Sequence, residues 1–340
     1  MEQESTNTIL SQYNINVVNI KKESDKGKKA IWRIKTTTGD KILKKHSCSS
    51  KTLEFIISAV DHLRDGKVNL PNIFKTKQNA NYVLENNECY VLSEAIIGNP
   101  PNEDKPHELK MIVDTLALFH LASKNFIPPL NCKPRIHLGL QNEEFESQMN
   151  KLKDFYDAEL SSPKHSEFGQ IILTSFPYFY KRMQLAIKEN EKSGYEKWAL
   201  EAKNTNCLCH QDFAASNLIL TNSKRIFVLD IDSIAIDLPT RDIRKLLNKL
   251  MKKKGQWNLN TTTQILQWYN DTHPLEHWKW QVLKESLIFP HLFVGIMSKY
   301  YEKREANWTE ARYIERLKAM IKTEKSIDTI LENFERVIPS

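Results

Sequence analysis

The chain has 340 residues, 40% of them hydrophobic and 27% charged, with only 9 Gly and 13 Pro. That supplies enough apolar material for a sizeable core and excludes collagen-like, disordered and membrane-spanning classes. The net charge of +7 sits partly in runs, Lys28–Lys29, Lys44–Lys45 and Lys252–Lys253–Lys254; no nucleic-acid-binding motif accompanies them, so solvated faces are expected and a nucleic-acid partner is not.

Taken in order, Asn16–Ile20 and Ala30–Thr36 read as strands, and Asp40–Lys45 follows across Thr38-Gly39-Asp40 as the return strand of a hairpin. Ser49 or Ser50 can cap a helix over about 51–64, where Leu53, Ile56, Ile57, Val60 and Leu63 recur at helical spacing. Further strands are predicted at Tyr82–Glu85 and Glu88–Leu92, around the turn formers Asn86 and Asn87. The strongest breaker cluster is Gly98-Asn-Pro-Pro-Asn-Glu-Asp-Lys-Pro106. Beyond it His107–Lys124 is an amphipathic helix, and 144–160, 166–191, 241–254, 261–270, 275–301 and 308–335 read as helical. One β-rich island interrupts them, Cys207–Leu220 and Ile226–Ile231. The expected fold class is α+β, with a small β-rich N-lobe over 1–97, a connector at 98–106 and a large helical C-lobe over 107–340. A cleft between unequal lobes is a natural ligand site.

Five cysteines at irregular spacing (Cys48, Cys89, Cys132, Cys207, Cys209) make no disulfide framework, and Cys207-x-Cys209 lacks a second pair for zinc. A reduced, cytoplasmic site of synthesis is expected. The start Met-Glu-Gln-Glu has no basic-then-apolar signal segment. Apolar stretches such as Phe55–Val60 fall far short of the roughly 20 residues that span a bilayer.

The chemistry-bearing segment is His210-Gln-Asp-Phe-Ala-Ala-Ser-Asn217, followed by Arg225-Ile-Phe-Val-Leu-Asp230-Ile-Asp232. Phosphoryl transfer from ATP requires a carboxylate beside the acceptor hydroxyl and oxygen ligands for the Mg²⁺ that neutralises the phosphates. Asp212 and Asn217 lie on one loop, the first suited to a base and the second to a metal-ligating amide. Asp230 ends the apolar strand Ile226–Leu229, which would carry its carboxylate into the same place. Protein kinases use this arrangement. The plainer alternative makes Asp212 a helix cap and Asn217 a turn residue; the strand-borne Asp230 favours the first. On the N-terminal side, strand alternation that points Leu43 into a core aims Lys44 at the opposite face, towards a cleft.

The segment resembles the signature of aminoglycoside phosphotransferases and choline kinases, and more closely that of the spore-coat CotS/CotI kinase-like family. In the latter an acidic strand end leads through Asp-x-Pro-x-Arg-Asp into a helix, here Asp237-Leu-Pro-Thr-Arg-Asp242. The hairpin Ile31–Lys44 and the run Glu54–Leu63 extend the likeness over about residues 10–335. It implies a bilobal protein-kinase-like fold with ATP and Mg²⁺ as cofactors. It also implies Asp212 as catalytic base, Asn217 and Asp230 as metal ligands, His210 bracing the loop, and Asp242 fastening it by accepting hydrogen bonds. Asp232, one strand step from Asp230, either supports the metal or stays solvated. For the nucleotide, Lys44 matches the family's strand lysine and Glu54 its helix partner, while the Glu94 carbonyl and Ile96 amide would serve adenine.

Two features depart from the family. Glycine is usual where Gln211 stands, and Gln is costly there if φ is positive. The segment Lys21–Lys29 holds a single glycine and neither Gly-x-Gly-x-x-Gly nor a P-loop pattern, leaving backbone amides and lysines to hold phosphates. The implied function is ATP- and Mg²⁺-dependent phosphotransfer to a hydroxyl acceptor, a small molecule or a coat protein. The implied setting is the mother-cell cytoplasm and then the spore coat, among other coat proteins. The alternatives are a coat assembly protein that keeps the fold without turnover, and a small-molecule kinase of the sugar, choline or homoserine type. His120, following the apolar helix face Leu116–Phe119, reads as a packed structural histidine, and His273, His277 and His291 lack partners at ligand spacing and take core or surface roles. Trp257, Trp268, Trp278, Trp280, Tyr300 and Tyr301 serve helix packing or line an acceptor pocket.

Overall fold

The computed structural model describes residues 2–192 and 194–339. The chain opens with α1 (Glu2–Leu10), β1 (Val17–Asp25), β2 (Ala30–Thr36) and β3 (Lys41–His46). α2 (Ser50–Asp65), β4 (Val83–Glu85), β5 (Glu88–Glu94) and α3 (Pro106–Ala122) follow. Next come α4 (Gln141–Leu160), α5 (Glu167–Lys192), α6 (Tyr195–Thr205) and the short strands β6 (Leu208–Cys209), β7 (Leu218–Leu220), β8 (Ile226–Val228) and β9 (Ala235–Ile236). The rest is helical: α7 (Pro239–Lys254), α8 (Leu259–Thr272), α9 (His277–Ile288), α10 (His291–Tyr301), α11 (Glu310–Lys325), α12 (Asp328–Glu332) and α13 (Phe334–Val337).

Two compact units emerge, Met1–Ile136 with Ala214–Ala235, and His137–Phe213 with Ile236–Ser340. Their bounds differ from a division at the Pro-rich segment, because backbone pairing draws the β7–β8 hairpin into the first unit. Asn99 and Leu220 exchange N–H···O bonds of 3.1 and 2.8 Å, and the Val228 N–H donates to the Asn69 carbonyl at 2.9 Å. Gly98 permits that approach, since a Cβ there would fall 2.4 Å from the Leu220 carbonyl oxygen.

In the first unit, five strands form an antiparallel sheet in the order β1-β2-β3-β5-β4. Alternation gives it two faces. Trp32, Ile34, Leu43, Tyr90 and Leu92 pack on one side with Ile9, Leu10 and Tyr13, the end of α1 and the residues after it. On the other, Leu53 and Ile57 of α2 pack on Cys89 and Val91. Ser49 caps α2, its hydroxyl accepting the Thr52 N–H at 3.3 Å. The lysine-rich segment 21–29 is strand as far as Asp25, where β1 ends, and a tight hairpin turn through Gly27 (φ 68°) beyond it.

The second unit is built on aromatic stacks, Phe145 on Phe289 (4.1 Å between centroids), Phe168 on Tyr300 (3.7 Å) and Phe179 on Phe293 (4.1 Å). The helix expected over 275–301 breaks at Phe289–Pro290, because proline has no N–H to continue the ladder. Buried Arg182 ties three segments together, pairing with Glu324 at 3.2 Å and donating to the carbonyls of Ile288 and Glu324. Among the described residues no helix is long and apolar enough to cross a membrane.

Candidate functional site

In the first unit a cavity of about 510 Å³ lies on the sheet face opposite Leu43. Ile42, Lys44 and His46 line it from β3, at the alternating positions that strand geometry requires. The Lys44 ammonium sits 2.7 Å from Asp230 Oδ1 and 2.8 Å from Asp232 Oδ1. Asp232 also meets Lys29 at 3.2 Å and His46 Nδ1 at 3.4 Å, and Arg135 donates to its backbone carbonyl. Burial alone would raise the Asp232 carboxyl, but Lys44, His46 and Lys29 outweigh it and bring it down to about 2. Burial likewise works against the Lys44 charge, and Asp232 and Asp230 overcome it, leaving the ammonium above its ordinary value.

Asp232 does not reach Lys44 by strand alternation. β8 ends at Val228, Asp230 takes a left-handed conformation (φ 53°, ψ 48°), and one 3-10 turn over Ile231–Ser233 follows. That turn brings both carboxylates onto one lysine. Aspartate is among the few non-glycine residues that tolerate the left-handed region. Asn217 ends the 3-10 turn Ala215–Asn217, and its carbonyl accepts the Leu229 N–H at 2.8 Å, which fixes it beside the residue preceding Asp230. Asn217, Asp230 and Asp232 all line the cavity. An amide oxygen and carboxylates are hard donors of the kind Mg²⁺ selects, so the residues present fit that ion.

Glu94, Ala95 and Ile96, where β5 ends, form another part of the same wall. The Glu94 N–H goes to Asn72 and the Ala95 N–H to Asp40, while the Ile96 N–H has no partner among the described residues. Glu54 is not brought to Lys44. Its carboxylate accepts from the Tyr82 hydroxyl at 3.2 Å, because α2 turns Leu53 and Ile57 towards the cavity and Glu54 away. The two aspartates take its place as partners of the lysine.

In the second unit the loop after β6 is held from α7 and the residues before it. The Asp242 carboxylate is buried and accepts the His210 N–H at 2.6 Å and the Gln211 N–H at 2.9 Å. His210, fully buried, stacks edge-on against Phe213, and its Nδ1 accepts the Asp212 N–H at 3.2 Å. Gln211 stands at φ 70°, the left-handed conformation that its glycine-usual position implied. Its side chain is fully engaged: Nε2 donates to Asp237 Oδ2 at 2.8 Å, and the Lys245 ammonium reaches both its carbonyl (2.5 Å) and its Oε1 (3.2 Å). Asp237 is steadied in turn by Arg241 at 2.5 Å, and Arg241 by Glu144 at 2.9 Å. Asp212 is half exposed and pairs with Lys249 at 2.6 Å.

Sequence reasoning missed Lys245, Lys249 and His46, and it named Asp237 and Lys29 without foreseeing their partners Gln211 and Asp232. A signal existed for the lysines of α7, since 245 and 249 stand three and seven positions after the loop-fastening Asp242 and so share its face of the helix.

The family model described as "Spore coat putative kinase YutH" matches residues 6–334. The chain belongs to that family. It is similar to "Spore coat protein S" of Bacillus subtilis, 29% identical over 331 residues, covering 97% of this chain and 94% of that protein. Among solved structures it resembles an aminoglycoside phosphotransferase from Alicyclobacillus acidocaldarius (TM-score 0.83, 16% identity, 97% and 96% coverage). It also resembles spectinomycin phosphotransferase APH(9)-Ia, crystallised with ADP and spectinomycin (TM-score 0.69, 12% identity, 97% and 98% coverage). The fold is therefore kinase-like, with a five-stranded antiparallel sheet and a mainly helical remainder.

Proposed function

We propose that this protein is a spore-coat-associated phosphotransferase that uses Mg²⁺ and ATP to phosphorylate a hydroxyl group. The observation that carries this reading is the group Lys44, Asp230, Asp232 and Asn217 lining one cavity together with Glu94–Ile96. Lys44 would hold the α- and β-phosphates once its aspartates turn to metal. Asn217 and Asp230 would hold Mg²⁺, which neutralises phosphate charge when bound. Asp212 would take the proton of the acceptor hydroxyl as the γ-phosphoryl group leaves the β-phosphate oxygen of ADP for the acceptor oxygen. His210 and Asp242 keep the loop in shape for that role, and association with the coat follows the family and its relatives.

A second reading, a coat assembly protein without turnover, is favoured by the strained Gln211 and by the lysine seated on Asp212. Magnesium-dependent ATP consumption by wild type and by Asp212→Asn separates the two. Phosphotransfer predicts a loss of about a hundredfold or more in the variant with nucleotide binding retained; equal, near-zero rates leave the assembly role alone.

A further inference from the structure

Resting on the phosphotransfer reading and deepening it, we propose that the acceptor is an anionic alcohol, one bearing a carboxylate or phosphate beside its hydroxyl. The argument uses the second unit alone. Lys245, Lys249 and Lys252 occur at i, i+4 and i+7 on α7 and so form one stripe along the helix. The first two reach the loop, Lys245 on Gln211 and Lys249 on Asp212. The stripe does not end there. α7 packs against α10 and α11, and partial burial, together with the charges of Lys299, Arg316 and Lys249, holds the Lys252 ammonium below its ordinary value although its side chain stays open to solvent.

Counter-ions are few on this face. Lys299 pairs with Glu305, and Lys249 takes Asp212 itself. Lys252 and Arg316 have no ion pair among the described residues, and both are exposed. Arg316 and Lys299 also flank the Trp308 ring, 6.0 and 5.2 Å from its centroid, which gives the face an aromatic wall. Positive charge is thus concentrated along the stripe that carries Lys249, the lysine seated on Asp212.

The consequence for an incoming acceptor depends on its sign. An amino alcohol would meet like charge from Lys252 and Arg316 while Lys249 occupied the carboxylate it needed. An anionic alcohol offers Lys249 a second partner, and drawing that ammonium away from Asp212 Oδ1 removes a competitor for the hydroxyl proton. Lys249 is then a positioning residue that couples the acceptor's charge to the availability of the base.

Gluconate, glucose and glucosamine provide the test, because all three are six-carbon polyols and are respectively anionic, neutral and cationic; gluconate alone is open-chain, so the salt dependence and the double variant isolate the effect of charge. Their binding to the full chain is measured by titration calorimetry at low and at raised salt, alongside Lys252→Glu/Arg316→Glu. Gluconate should bind about tenfold or more tightly than glucosamine, with a preference that shrinks in salt and vanishes in the double variant. Equal binding, undetectable binding by all three, or tighter binding of glucosamine overturns the proposal. ATP consumption by wild type and Asp212→Asn is read separately. A protein that selects gluconate but consumes no ATP keeps its anion face and loses the phosphotransfer reading; one that turns over ATP without charge preference loses only the inference made here.

Discussion

Replacing Gln211 by glycine and, separately, by alanine isolates what the left-handed backbone costs. Its φ of 70° carries a penalty of about 1–2 kcal/mol for any residue with a Cβ. Offsetting this are the Nε2 bond to the Asp237 carboxyl at 2.8 Å and the Lys245 contact to Oε1 at 3.2 Å, together worth about 2–4 kcal/mol in a site this buried. Alanine keeps the strain and loses both bonds, so a destabilisation of about 2–4 kcal/mol is expected. Glycine loses the same bonds but sheds the strain, while its looser unfolded chain returns about 0.4–1 kcal/mol. The glycine variant should therefore be more stable than the alanine variant by about 0.5–1 kcal/mol, with both below wild type. Urea unfolding midpoints at matched slopes measure the difference. An alanine variant as stable as the glycine variant, or more so, would refute the claim that backbone strain is stored at this position.

Lys44→Met removes the cation shared by Asp230 and Asp232; nucleotide affinity, followed by titration of a fluorescent ATP analogue, should fall about tenfold or more. Unchanged affinity would remove Lys44 from the phosphate-binding role. Arg182→Met leaves Glu324 buried without its partner and strips donors from two carbonyls, so stability should drop by about 3–5 kcal/mol. Arg182→Met/Glu324→Leu should recover a large part of that, and a double variant no better than the single one would contradict the assignment. His291, packed on Phe145 and Phe289 with Nε2 donating to the Ser286 carbonyl at 3.2 Å, is held well below its ordinary pKa of 6.5 by burial and by Arg244. Because the folded value is depressed, its contribution is present above about pH 6.5 and is lost as pH falls, by about 1.4 kcal/mol per pH unit. His291→Gln should flatten that acid limb in thermal unfolding profiles, and parallel limbs would disprove it.

The central segment was legible because phosphoryl transfer dictates residue types as well as spacing, so His210, Asp212, Asn217 and Asp230 stand out from a single stretch of chain. Lys44 was legible for a different reason, the two-residue repeat that buries Leu43 and exposes its neighbour to the cavity. The pairing of Lys44 was not, because its partner Asp230 lies 186 positions away and only tertiary folding selects it over nearby Glu54. α1 escaped notice because its apolar contacts fall at its C-terminal end, leaving a polar stretch with no helical stripe. The break at Phe289–Pro290 was readable and was overlooked: proline stood in plain view within an apolar run. The lysines of α7 needed the loop's position to acquire meaning.

Two aspartates and two lysines, 230 and 232 against 44 and 29, already sum to zero on the floor of the first unit's cavity. On the proposed function a metal nucleotide would trade partners there: each carboxylate would exchange an ammonium for the ion, and the freed lysine would turn to phosphate. Such a pocket is self-neutralised, so the surrounding sheet does not rely on cargo to hold its shape.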